Sequence, residues 1–66
     1  MKNRVTVTIA DEEYTLVGSE EPSYTKKVAA HVDEKVREIM EGSGVSQVQG
    51  AILAAVNIAD EYFKEV

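Results

Sequence analysis

The segment 47–66 constrains this chain more than any other part of it. At 100° per residue, Val48, Ala51, Ile52, Ala55, Val56, Ile58, Ala59, Tyr62, Phe63 and Val66 fill an arc of about 160°. A surface helix facing one core needs an apolar stripe of only about 100°. The arc divides into two seams. Ile52, Val56, Ala59, Phe63 and Val66 follow a heptad spacing, and Val48, Ala51, Ala55, Ile58 and Tyr62 run beside them. One seam can pack inside the domain while the other meets a partner helix; the alternative is a helix fully buried within one copy.

The whole chain has 66 residues, one small domain, 1–66. Domains of this size are marginal alone and lean on disulfides, a metal or oligomerisation. The chain has no cysteine, which excludes a disulfide staple and a thiolate metal site, and it has one histidine, His31. Oligomerisation is the stabiliser that remains. Self-association is therefore assigned to Ile52, Ala55, Val56, Ile58, Ala59, Tyr62, Phe63 and Val66.

Upstream, residues 4–10 alternate, with Val5, Val7 and Ile9 on one face and Thr6 and Thr8 on the other. A polar break, Asp11-Glu12-Glu13, precedes a second alternating stretch, 14–17, with Tyr14 and Leu16 on one face. The two read as a hairpin whose apolar face must pack on a helix and whose outer edges stay open. Pro22 after Glu20 and Glu21 marks a helix entrance. The helix 22–41 places Tyr24, Val28, Val32, Val36 and Ile39 on one stripe, widened by Ala29 and Met40. Its other side is charged, and Asp33 and Arg37 are spaced to pair. Gly42-Ser43-Gly44 stops it. Ser46 and Gln49 form a capping-box pattern at the start of the last helix. The expected fold is α+β: a β-hairpin followed by two α-helices (ββαα), the second leading into a truncated coiled coil, as a dimer. Val66 still lies on the heptad seam, which suggests a chain cut short of its coiled coil; a short natural protein with a frayed helix end is the rival.

Chemistry is sparse. Net charge is −5, twelve acidic against seven basic side chains, the opposite of what neutralising nucleic-acid phosphates requires. Acidic charge chiefly keeps a small protein in solution, with mimicry of DNA or a basic partner as the alternative. No apolar run is long enough to span a bilayer, and the threonine-interrupted N-terminus lacks a signal-peptide core. His31 sits at the edge of an apolar stripe and has no nucleophile to serve. The acidic pairs lack the spacing of a calcium loop, and the glycines do not form a phosphate loop. No enzyme activity, cofactor or metal is expected. Asn57, inside the run AILAAVNIA, lies opposite the apolar arc, either simply exposed or fixing a partner's register.

Three stretches in order, RVTVTI with EEYTLVG, VAAHVDEKVREI and AILAAVNIADEYF, together resemble the N-terminal head of the ZapA family of bacterial cell-division proteins. The resemblance implies a head that dimerises, with tetramers forming through coiled coils in the full-length protein. It implies binding to FtsZ filaments, alignment or cross-linking of protofilaments, and a cytoplasmic location at the mid-cell division site. Carried over residue by residue, it points to Lys35 in the V-D-x-K pattern, and with it to Arg37, Lys26 and Lys27 as FtsZ-binding candidates. The acidic Asp11-Glu12-Glu13 departs from the basic turn of some members. A structural dimerisation cap without a filament partner is the alternative function.

Overall fold

A computed structural model describes residues 2–65. Its order is β1 (Asn3–Ile9), β2 (Glu12–Gly18), α1 (Pro22–Ser43) and α2 (Gln47–Glu65). The expected ββαα order is present, and Val66 lies outside the described residues. The chain divides after Glu34 into two compact units, and α1 runs through that point.

In the first unit β1 and β2 pair antiparallel from Asn3↔Gly18 to Ile9↔Glu12. The turn is therefore Ala10-Asp11 alone, and Glu12 and Glu13, expected in the break, belong to β2. Both turn residues take positive φ, 52° and 68°, which matches a two-residue turn to the twist of its strands. Aspartate tolerates that conformation, whereas alanine pays about 1–2 kcal/mol for it. The carboxylate of Asp33 offsets this by accepting a hydrogen bond from the Ala10 amide at 2.8 Å. At the other end the Asn3 side-chain amide donates to the Glu20 carbonyl at 2.9 Å. Between these two ties Val5 and Val7 are buried with Ala29, and Ile9 packs against them.

The covering is one-sided. Leu16 and Tyr14 pair with Val5 and Val7 and share their face, yet they remain 39% and 43% exposed. Tyr24 and Val28 of the expected helix stripe are likewise about half exposed.

In the second unit α1 ends where Gly44 takes a φ of 64° and donates to the Met40 carbonyl at 3.1 Å. The helix passes through Gly42 and Ser43, two residues beyond the expected stop, because only Gly44 adopts the left-handed conformation that ends a helix. Ser46 and Gln49 then cap α2 reciprocally. The Gln49 amide donates to Ser46 Oγ at 3.2 Å and the Ser46 amide to Gln49 Oε1 at 3.3 Å.

The buried side of α2 consists of Gly50 and Ala54, with Ile58 half-buried. A Cβ on Gly50 would stand 2.8 Å from Met40 Cγ and 3.6 Å from Val36 Cγ1. Small residues thus let the two backbones approach, and Val36 and Ala54 fill the contact. This corrects the two-seam reading: the inward face is neither seam, and both seams stay largely outside.

Two substitutions test these contacts. Asp33→Ala should lower stability by about 1.5–3 kcal/mol in urea unfolding and speed exchange of the Ala10 amide. Gly50→Val should cost about 1–3 kcal/mol by overpacking against Met40; an unchanged midpoint would mean the helices do not approach this closely.

Candidate functional site

Two kinds of surface stand out, and each is built by the packing just described. The first is the outer face of α2. Because glycine and alanine take the inward positions, the large side chains are turned outward. Ile52, Val56 and Phe63 are 60%, 63% and 70% exposed, and Val48 and Tyr62 are similarly open. Ala55 and Ala59 lie exposed among them. Tyr62 and Phe63 meet edge to face, their centroids 5.3 Å apart. Leu53, absent from the arc drawn from the sequence, is also about half exposed. Contiguous apolar surface of this kind marks an interaction site. Asn57 is exposed.

The second kind is cationic, and the four basic candidates have different surroundings. In the first unit Lys26 and Lys27 are exposed. Lys26 lines a groove with Thr6, Thr8, Ala30 and Asp33. In the second unit Arg37 is exposed, whereas Lys35 is turned toward α2. Its ammonium donates to Glu61 Oε2 at 2.7 Å, and its side chain is 21% exposed. A partly exposed pair of this kind contributes up to about 1 kcal/mol to holding α2 on α1. The sequence signal for that pairing was the complementary charge of the two residues, but nothing local shows that residues 26 positions apart meet. A second pair, Lys64 with Asp60 at 3.0 Å, is one turn apart on α2 and well exposed.

Among the described residues no three His, Asp or Glu side chains are grouped to hold a metal ion. No described helix is long and apolar enough to cross a membrane. His31 is exposed on α1. The arrangement offers an exposed apolar helix face on α2 and basic side chains along α1.

Comparison with known proteins identifies the family. The sequence profile of the family described as Cell division protein ZapA matches residues 5–66. Cell division protein ZapA of Geobacillus thermodenitrificans (strain NG80-2) is 48% identical over 64 residues, spanning 96% of this chain and 70% of that protein. Its counterpart in Bacillus licheniformis is 39% identical, spanning 96% of this chain and 75% of its own length. Among solved structures, a ZapA mutant dimer from Geobacillus stearothermophilus superposes with a TM-score of 0.80 at 43% identity, covering 97% of this chain and 76% of that one. A structure described as an unknown conserved bacterial protein from Pseudomonas aeruginosa PAO1 gives a TM-score of 0.82 at 31% identity, covering 96% of this chain and 71% of that one. With the same order of elements and a family match over nearly its whole length, this chain belongs to the ZapA family of cell-division proteins.

Proposed function

We propose that the chain is a non-enzymatic assembly factor that binds FtsZ and aligns or cross-links its protofilaments at the mid-cell division site, in the cytoplasm. The observation that carries this reading is the outward apolar face of α2 in a member of the ZapA family. Two copies joined through Ile52, Ala55, Val56, Ile58, Ala59, Tyr62 and Phe63 form a homodimer, and further coiled coil would make a tetramer of the full-length protein. The solved relative from G. stearothermophilus is itself a dimer, which supports the same state here. Multivalency supplies the mechanism. One head contact is weak, but a rigid dimer facing a filament of repeated sites raises the effective concentration of the second contact.

The contact with FtsZ is assigned to Lys35, Arg37, Lys26 and Lys27. Lys35 carries two roles in this reading, because its bond to Glu61 also stabilises the second unit. A simple reversal, Lys35→Glu, would set two carboxylates against each other and mix stability with binding. The exchange Lys35→Glu with Glu61→Lys keeps an ion pair between these two positions while reversing the charge a partner meets at position 35.

A purely structural dimerisation cap is the competing reading, favoured by the size of the apolar face relative to the cationic surface. Two measurements separate them. In sedimentation equilibrium the chain should be dimeric at micromolar concentration, and Ile52→Glu with Val56→Glu should raise the dimer Kd by more than about tenfold, or 1.4 kcal/mol. In cosedimentation with assembled FtsZ the chain should pellet. The Lys35/Glu61 exchange combined with Arg37→Glu should reduce pelleting while leaving the dimer intact. No pelleting of the unaltered chain would leave the dimerisation cap as the function.

A further inference from the structure

The hairpin leaves the outer edges of both strands unpaired, and on β1 the open groups face a groove. A two-residue turn makes Ile9 and Glu12 a hydrogen-bonded pair, and the alternation carries this to Val7–Tyr14 and Val5–Leu16. The amides and carbonyls of Thr6 and Thr8 therefore point away from β2. The next outward amide along the strand, that of Ala10, is taken by Asp33. Among the described residues no backbone bond outside the ladder reaches Thr6 or Thr8.

Beside this open edge lies a groove of about 290 Å³ between β1 and the first three turns of α1. Its strand wall is Thr6 to Thr8, its helix wall is Lys26, Ala29 and Ala30, and Asp33 stands at the turn end. The two walls run together. From Asn3 to Ala10 the strand advances about 24 Å, and the chain from Glu20 to Asp33 covers the same span, tied at both ends. Asp33 is committed to Ala10, and Lys26 has no ion-pair partner among the described residues. Seven helix positions separate them, about 10 Å along the helix axis, so the two charges stand toward opposite ends of the groove.

We propose that this groove receives an extended, acidic segment of the partner filament, which adds to β1 as a third strand. The backbone bonds come from Thr6 and Thr8, and Lys26 receives an acidic side chain. Strand addition to an exposed edge is a recurring mode of peptide recognition. The inference rests on the filament reading above and gives the cationic surface of the first unit its chemistry. A β1 strand from a second copy is a poor occupant, since it brings Arg4 and no acid to Lys26. A second copy's β2, which begins Glu12-Glu13, has the right charge. Seated there, however, it would join β1 to β2 head to tail and build an open polymer.

Three variants read the groove by cosedimentation with assembled FtsZ. Thr8→Pro removes an outward amide and replaces one groove-lining side chain, a change that edge strands accept. Ala30→Glu and Ala30→Lys place opposite charges at an exposed groove position on a helix that tolerates both residues. The proposal expects Thr8→Pro and Ala30→Glu to weaken binding by about tenfold and Ala30→Lys to strengthen it several-fold. If Thr8→Pro disturbs the hairpin, seen as faster exchange of the Tyr14 and Leu16 amides, the Ala30 pair decides alone. Wild-type pelleting with all folded variants unchanged overturns the groove and leaves the proposed function standing. Equal weakening by Ala30→Glu and Ala30→Lys overturns the acidic occupant. Loss of self-association in Thr8→Pro without FtsZ assigns the edge to a second copy and overturns the proposal. No pelleting of the wild-type chain sinks both readings together.

Discussion

The bond from the Ala10 amide to the Asp33 carboxylate is the constraint on which the first unit depends. A two-stranded hairpin is marginal by itself in water, and this one also closes through an alanine in a left-handed conformation. Asp33 meets both difficulties at once. It satisfies the amide that the turn projects outward and ties the turn to α1. The core of Val5, Val7 and Ala29 is small, and polar ties at its two ends add to burial in fixing the hairpin on α1.

The second unit solves the opposite problem. Here burial is achieved with almost no side chain on α2, because Gly50 and Ala54 let the helices come close enough for Val36 and Met40 to fill the space. A glycine inside a helix costs about 1 kcal/mol relative to alanine. Close packing offsets that cost, and the ion pair of Lys35 with Glu61 adds a further contact.

What could be read from the sequence was whatever is spelled locally. Ser46 and Gln49 stand three residues apart and make the capping box their spacing predicts, and the alternation of Val5 and Val7 gave the buried face of β1. The acidic run Asp11-Glu12-Glu13 marks a break that starts one residue and ends two residues later than the true turn, because backbone conformation and not acidity decides where the strands part. Asp33 reads from the sequence as part of a charged helix side, spaced to pair with Arg37, and nothing local shows that it reaches an amide 23 positions away. On α2 the large apolar residues dominate the pattern, while the contact is signalled by Gly50 followed four residues later by Ala54: a glycine within a helical pattern has a packing reason. The family resemblance, carried by three motifs in order, was legible from the start, because it needed no contacts at all.

The arrangement of α2, small residues inward and large ones outward, has a thermodynamic consequence. Anything that covers Ile52, Val56 and Phe63 binds the folded chain and not the unfolded one, and so stabilises the fold by mass action. The melting temperature of such a head is then a property of the mixture, rising with the concentration of whatever covers that face. Dilution acts on it as a denaturant does, and helix order becomes a report on how crowded its surroundings are with the right surface.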